Sequence, residues 1–116
     1  MSPSEGPVTI WITYEIKDGV SREEYRKWSR EVDQPAASRQ PGILSYEIFE
    51  VEGSEEGKPW ADVVEVIEAE SWEAWLAVDQ APDMKEPVEQ FWNICKRDSV
   101  KTLYGAKIDP DSGTDR

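Results

Sequence analysis

One acidic residue lies inside an otherwise apolar, β-branched stretch of this sequence. The stretch is Val63-Val64-Glu65-Val66-Ile67, a composition typical of a buried strand. A carboxylate that leaves water without a partner is strongly destabilising, or it stays protonated with a raised pKa. Because the chain contains no histidine, proton chemistry near neutral pH falls to a carboxyl group, a tyrosine, a lysine or the single cysteine. Glu65 is therefore the first candidate for a catalytic acid or base.

Two further carboxylates fall on or beside apolar helical faces. Asp79 belongs to one predicted stripe, and Asp33 lies at the edge of another. These stripes contain Trp72, Trp75 and Leu76, and Tyr25, Trp28 and Val32, respectively. A cleft between a sheet and its helices would collect Glu65, Asp33 and Asp79. Carboxyl groups in a partly dry cleft act as general acid and base when their environments separate their pKa values.

Aromatic side chains are plentiful around these carboxylates, and the chain has six tryptophans. Flat side chains suit flat, apolar ligands, and tyrosine hydroxyls can orient them. The candidate substrate-binding residues are Trp28, Tyr14, Tyr46, Trp75, Phe91 and Tyr104.

Each candidate also has a purely structural interpretation. Glu65 would then be an edge or interface residue paired with a basic side chain such as Lys101. Asp79 would cap a turn, and Asp33 would be a solvated residue at a helix end. The tryptophans would be core residues, and Cys95 a small buried apolar side chain.

Composition narrows the class of protein. A chain of 116 residues fits one soluble domain. Acidic residues outnumber basic ones 25 to 13, and the net charge of −12 argues against nucleic acid and anionic membranes as partners. No apolar stretch is long enough to span a bilayer, and the lone cysteine fits a reducing cytoplasm. The lack of histidine disfavours the common zinc sites and histidine-ligated haem, and no acidic metal-binding loop is present, so no metal is predicted.

The pattern of elements predicts a ferredoxin-like α+β fold. Residues 1–7 and 109–116 are polar and turn-forming, so we expect disordered tails around a single domain at 8–108. Strands are predicted over residues 8–16, 43–51, 60–69 and 100–108. A helix follows the capping box at 21–24 and bends or ends near Gln34, and a second helical region in two pieces spans about 71–95. The order is β-α-β-β-α-β, with helices on one face of a four-stranded antiparallel sheet.

The predicted strands are apolar or aromatic on both sides. One sheet face packs against the helices, which leaves the other in need of a cover. A second copy of the same sheet would provide it. We therefore expect a homodimer in which two sheets pack face to face.

Residues 8–108 resemble the dimeric α+β barrel superfamily and, more narrowly, the RedY-like/HapK proteins of pyrrole and indole natural-product pathways. The matching residues are Trp28, Asp33, Pro41-Gly42-Ile43, Val63 to Glu68, Asp79, Met84, Val88, Phe91 and Leu103-Tyr104-Gly105. The resemblance implies a small cofactor-free protein that acts on a reactive biosynthetic intermediate. Mechanisms in this superfamily that use a pocket histidine do not transfer, since this chain has none.

The leading hypothesis is a cofactor-independent cyclase or dehydratase that acts on a flat aromatic, pyrrole- or indole-type intermediate. Glu65 would be the general acid/base, with Asp33 or Asp79 as its partner. Two alternatives stay open: a non-catalytic binder or chaperone of a reactive intermediate, and a cofactor-free monooxygenase.

Overall fold

The structure is a computed structural model that describes residues 6–110. Most of the two predicted tails, residues 1–5 and 111–116, therefore lies outside the described residues. The strands are β1 (Val8–Tyr14), β2 (Ile43–Glu50), β3 (Val63–Ala69) and β4 (Lys101–Gly105). The helices are α1 (Arg22–Trp28), α2 (Gln34–Ser38), α3 (Trp72–Val78) and α4 (Lys85–Ile94). A π-helical segment, Ser29–Asp33, joins α1 to α2, and single 3₁₀ turns lie at Pro82–Met84 and Arg97–Ser99.

The four strands form one antiparallel sheet in the order β2-β3-β1-β4. The two central strands, β1 and β3, are not adjacent along the chain, since α1, α2 and β2 lie between them. This order and the β-α-β-β-α-β sequence of elements confirm the predicted α+β, ferredoxin-like fold.

Alternation along the central strands divides the sheet into two faces. In β1 the residues Val8, Ile10, Ile12 and Tyr14 are all buried, and the residues between them are partly or fully exposed. The buried set packs against the helices together with Val63, Ile67 and Ala69 of β3 and with Tyr25 and Cys95. The predicted burial of Cys95 is confirmed.

The first helix continues beyond the position where the sequence predicts a bend or an end. Ser21 and Glu24 form the predicted capping box, which starts α1. Pro35 has no N–H and cannot donate an α-helical hydrogen bond. The helix passes this point through the π-helical segment, in which the Gln34 N–H donates to the Ser29 carbonyl five residues earlier. The helix therefore does not end near Gln34, because one wider turn carries it past Pro35 and on to Ser38.

All four strands are shorter than predicted: β2 ends one residue early, and β3 begins at Val63 instead of about residue 60. β1 ends at Tyr14, and Ile16 makes only an isolated bridge to Cys95. β4 ends at Gly105 instead of residue 108. As an edge strand, β4 is hydrogen-bonded only to β1, and its pairing stops where β1 begins, with Thr9 opposite Gly105.

Large apolar side chains occupy the sheet face that is turned away from the helices. Trp11, Phe49 and Leu103 are 39%, 50% and 71% exposed, respectively. Trp11 and Leu103 lie directly opposite one another on β1 and β4. We call this surface the open sheet face. Within residues 6–110, none of the helices is both long and apolar enough to cross a lipid bilayer.

Candidate active site

Glu65 lies at the centre of β3 and points toward the helices. Its register partners are Ile12 on β1 and Ile48 on β2, so aliphatic side chains flank it on both sides. Only 4% of the residue is exposed. The side chain therefore occupies the interior between sheet and helices, not the open sheet face or a sheet edge.

Two tyrosines from the neighbouring strands meet the two oxygens of the Glu65 carboxyl group. Tyr14 lies opposite Val63, and Tyr46 lies opposite Ile67, so each tyrosine is diagonal to Glu65 across one strand pair. The Tyr14 hydroxyl donates to Oε2 at 2.6 Å, and the Tyr46 hydroxyl lies 3.3 Å from Oε1. These contacts replace the hydrogen bonds that Glu65 loses on leaving water.

Asp33 also contacts Tyr46, the second of these two tyrosines. It is the last residue of the π-helical segment and is 6% exposed, so the interpretation as a solvated helix end does not hold. The Tyr46 hydroxyl lies 3.2 Å from its Oδ2. The wide π turn buries Ser29 and Asp33 together on the face that looks toward the sheet. Turns of this kind often occur at functional sites.

A cavity of about 190 Å³ opens beside these groups. Asp33, Glu65 and Asp79 all line it, so the structure brings the three predicted carboxylates together. The other lining residues are Ile12, Ala37, Tyr46, Trp75, Val78, Met84, Pro87, Val88, Phe91, Trp92, Val100 and Thr102. For scale, an apolar cavity of about 150 Å³ holds one benzene molecule.

Asp79 occupies a wetter position than the other two carboxylates. It is the C-cap residue of α3, which agrees with a role at a helix end, and it is an exposed residue. Its side chain nevertheless lines the cavity. Asp79 therefore lies where the cavity meets solvent.

The predicted substrate-binding residues fall into two groups. Tyr46, Trp75 and Phe91 line the cavity. Tyr14, Trp28 and Tyr104 do not. Tyr14 lies behind Glu65, to which its hydroxyl donates. Trp28 packs against Tyr25 and Phe91, and its indole N–H donates to Gln90. Tyr104 lies at the far end of β4, where it stacks on Trp72.

Sequence reasoning treated Tyr25 only as a core residue of the first helix. Its hydroxyl lies 2.5 Å from that of Tyr14, which in turn donates to Glu65. Tyr25 is 3% exposed, and its ring packs edge-on against Tyr14. The signal in the sequence was a tyrosine on an apolar helical stripe, because a buried hydroxyl needs a polar partner.

Burial sets the proton affinity of the two inner carboxyl groups. Burial, followed by the charge of Asp33, raises the pKa of Glu65 to about 8, although hydrogen bonds from Tyr14 and Tyr46 act against the rise. Burial raises the pKa of Asp33 to about 6, and the hydrogen bond from Tyr46 lowers it. Desolvation also raises the pKa of Asp79. Both inner carboxyl groups thus hold a proton more tightly than an exposed carboxyl group does.

The tyrosines and the cysteine remain neutral. Burial, then the charge of Glu65, raises the pKa of Tyr14 well above its usual value. Burial likewise raises the pKa values of Tyr46, Tyr25 and Cys95. Among the described residues, no lining side chain is basic, and no group of three histidine, cysteine, aspartate or glutamate residues is arranged to hold a metal ion.

The sequence also matches a family described as "REDY-like protein HapK" over residues 8–108. The chain belongs to this family. The match spans β1 to β4 and includes every residue that lines the cavity. No curated protein matches the sequence.

Several solved structures share the fold. HapK from Hahella chejuensis is 19% identical, with a TM-score of 0.72 over 87% of this chain and 92% of that one. SnoaB, a cofactor-independent oxygenase from Streptomyces nogalater, is 9% identical, with a TM-score of 0.71 over 92% and 98%. A dimeric protein of unknown function from Bacteroides fragilis, with a ferredoxin-like fold, is 12% identical, with a TM-score of 0.65 over 90% and 99%. At these identities the likeness establishes the fold alone.

Proposed function

We propose that this protein is a cofactor-independent cyclase or dehydratase that acts on a flat aromatic, pyrrole- or indole-type biosynthetic intermediate. The observation that carries the proposal is the pair of buried carboxyl groups, Glu65 and Asp33, that line one aromatic cavity with raised and different pKa values. Such a pair divides the tasks of acid and base. Membership of the REDY-like HapK family supports a biosynthetic role.

The cavity favours ligands of a limited chemistry. Three carboxyl groups line it, and none of the lining side chains among the described residues is basic, so an anionic ligand would be repelled. Trp75, Phe91 and Trp92 offer aromatic surfaces. A neutral or cationic nitrogen heterocycle fits this lining, because carboxylates and ring faces both attract positive charge.

In a dehydration, the protonated Glu65 would donate its proton to a leaving hydroxyl group. The carbon–oxygen bond breaks and water departs with the bonding electrons. The ionised Asp33 would remove a proton from the substrate, and the electron pair left behind forms the new double bond. Asp79, nearer to solvent, would hold a cationic nitrogen. Positioned acids and bases of this kind contribute roughly 10²–10⁴-fold in rate.

The main rival is a non-catalytic binder that sequesters a reactive intermediate. The mostly apolar lining of the cavity favours this reading as well. In a binder the carboxyl groups would be dispensable, whereas the aromatic wall would not.

Two variants separate the enzyme from the binder. Glu65→Gln keeps the side-chain volume but removes the titrating proton, and Phe91→Ala removes one wall of the cavity. An enzyme should lose turnover of a pyrrole- or indole-type intermediate in Glu65→Gln while still binding it. A protein that retains its full effect in Glu65→Gln and loses it in Phe91→Ala would be a binder.

A cofactor-free oxygenase remains the third possibility, and the fold is shared with one such enzyme. Oxygen uptake distinguishes it from the proposed function. A cyclase or dehydratase should form product at the same rate in anaerobic buffer. Product formation that requires oxygen would replace our assignment with oxygenation.

The open sheet face supports a homodimer as the working form. Trp11, Phe49 and Leu103 are exposed there in the single chain, and a second copy would remove them from water. The Bacteroides fragilis neighbour is itself described as dimeric.

A further inference from the structure

Four buried side chains and the half-buried Tyr46 form one continuous hydrogen-bonded chain through their oxygen atoms. Its members in order are Tyr25, Tyr14, Glu65, Tyr46 and Asp33. They come from α1, β1, β3, β2 and the π-helical segment, so every layer of the fold contributes. Tyr14, Tyr25, Glu65 and Asp33 are each no more than 6% exposed. The chain ends at Asp33, which lines the cavity.

The number of protons in this chain can be counted. Four oxygen–oxygen contacts join the five side chains: Tyr25–Tyr14, Tyr14–Glu65, Glu65–Tyr46 and Tyr46–Asp33. Each hydrogen bond needs one proton, and the three tyrosines supply three. If both carboxyl groups were ionised, Tyr46 would have to divide its one proton between Glu65 and Asp33, at 3.3 and 3.2 Å. A fourth proton on one of the two carboxyl groups would give every contact a hydrogen of its own.

Tyr46 determines where that proton can go. Its single hydroxyl proton lies between Glu65 Oε1, at 3.3 Å, and Asp33 Oδ2, at 3.2 Å. When Glu65 carries the extra proton, it donates to Tyr46, and Tyr46 donates to Asp33. When Asp33 carries it, both donations reverse. The two arrangements differ by two short proton shifts and leave the charge of the pair unchanged.

We propose that Tyr46 is a proton shuttle that shares one carboxyl proton between Glu65 and Asp33, so that the pair carries a single negative charge near neutral pH. The inference rests on the proposed function only for its use in turnover. After Glu65 has given a proton to the substrate and Asp33 has taken one, Asp33 donates to Tyr46 as Tyr46 donates to Glu65. These two shifts restore the starting state without a proton from solvent.

The surroundings of the pair are consistent with one retained proton. The titratable groups that face it from the packed elements are Tyr14, Tyr25, Asp79 and Cys95. The tyrosines and the cysteine are neutral near pH 7, so only Asp79 adds charge, and that charge is negative. A second nearby carboxylate favours proton retention by Glu65 and Asp33.

Carbon-13 NMR of protein labelled at the aspartate and glutamate carboxyl carbons tests this inference without a substrate. The Glu65 and Asp33 signals are assigned by their loss in Glu65→Gln and Asp33→Asn. In the wild type, the protonated fractions of the two carboxyl groups should add up to about one near pH 7, and both carbons should respond in both titration steps. A pair that is fully ionised at pH 7 would overturn the inference.

Two phenylalanine variants test the role of Tyr46. Tyr46→Phe removes the donor to Asp33, so the titration midpoint of Asp33 should rise by about one pH unit, the usual effect of one hydrogen bond. Tyr25→Phe removes another tyrosine hydroxyl, at the other end of the chain, and should leave the Asp33 titration unchanged. An Asp33 midpoint that does not respond to Tyr46→Phe would refute the shuttle.

The proton count and the proposed activity can fail separately. If the NMR titration of the wild type shows a shared proton but Glu65→Gln retains full turnover, the catalytic assignment is wrong and the shuttle stands. Loss of turnover in Glu65→Gln, with a fully ionised pair in the NMR titration, would do the reverse.

Discussion

Glu65 is a single acidic residue in an otherwise apolar strand pattern, and its carboxyl group can take part in proton transfer. A valine at this position would complete the apolar face of β3, between Ile12 and Ile48. The carboxyl group is tolerated because Tyr14 and Tyr46 reach it diagonally from the two neighbouring strands. Burial then shifts its proton affinity upward, toward the range where acid and base catalysis at neutral pH is efficient.

The raised pKa of Glu65 also makes the stability of the protein depend on pH. The ordinary pKa of a glutamate is 4.5 and burial raises it to about 8 here, so between these values the folded state binds more protons than the unfolded state. Its contribution to stability is therefore fully present below about pH 4.5 and is lost as the pH rises through about 8.

We expect the free energy of unfolding to fall as the pH rises from about 5 to about 8, with a slope of up to about 1.4 kcal/mol per pH unit for one proton. Urea unfolding of wild type and Glu65→Gln at several pH values measures this slope. Because glutamine does not titrate, the difference in unfolding free energy between the two proteins reports the titration of Glu65 together with its effect on Asp33. Parallel stability curves over this range would show that Glu65 titrates normally.

At the scale of elements, the turn before β2 sets the distance between the sheet and α3. Gly42 has a φ of 83°, and a Cβ atom there would lie 2.7 Å from the Cβ of Ala74 on α3. Its carbonyl also accepts a hydrogen bond from the Glu70 N–H at the end of β3. This close approach holds α3, which carries Trp75 and leads to Asp79, against the cavity.

Gly42→Ala should destabilise the protein through both backbone strain and this contact. Gly19 provides a matched control, since its φ is 88° but a Cβ there has no neighbour within 4 Å. We expect Gly19→Ala to cost about 1–2 kcal/mol for the left-handed backbone alone, and Gly42→Ala about 1–3 kcal/mol more. Urea unfolding measures both costs.

Ala74→Gly in the Gly42→Ala background should recover part of the added loss, because it removes the atom that the new Cβ meets. A double-mutant cycle measures this coupling. Equal costs for the two glycine variants, or no coupling to position 74, would show that α3 is not held in this way.

The path of the first helix was less predictable than its start. The capping box at Ser21 and Glu24 is a local signal and was recognised in the sequence. The π-helical turn has no such local signal, since it depends on the missing N–H of Pro35 and on the packing that buries Ser29 and Asp33. The stripe analysis placed Asp33 only at the edge of the apolar face, and the wider turn carries it fully inside.

The position of Tyr104 relative to the cavity could not be predicted, because the sequence does not show how far along an edge strand the cavity extends. Thr102 and Tyr104 point to the same side of β4, yet only Thr102 lines the cavity. Two residues along a strand amount to about 7 Å. That distance takes Tyr104 past the cavity to Trp72, on which it stacks. Alternation in the sequence gives the face of a residue but not its position along the cavity.

For the whole molecule, the order of elements was enough to predict the fold, because each strand and helix had a clear apolar period. The proposed homodimer rests instead on the open sheet face. Trp11, Phe49 and Leu103 make this face apolar, although the chain as a whole is strongly acidic, with a net charge of −12. Glu47 and Glu68 lie on the same face, so a dimer formed there has to keep these carboxylates apart from those of the second copy.

Leu103→Lys should convert the expected dimer to a monomer, since it places a charge within the expected contact. Leu76→Lys is the control, because Leu76 is also half-exposed but lies on α3, in the helix layer. Light scattering coupled to size-exclusion chromatography gives the mass of each variant. A mass that is the same in wild type and Leu103→Lys would rule out this face as the interface.

The pH dependence of kcat/KM shows whether Glu65 and Asp33 work as an acid and base pair. If the singly protonated pair of Glu65 and Asp33 is the active form, the profile for a pyrrole- or indole-type substrate should be bell-shaped, with limbs near the apparent pKa values of about 6 and about 8. Glu65→Gln should lower the maximum by about 10²–10⁴-fold and abolish the alkaline limb. A profile without an alkaline limb in the wild type, or wild-type activity in Glu65→Gln, would rule out acid and base catalysis by this pair.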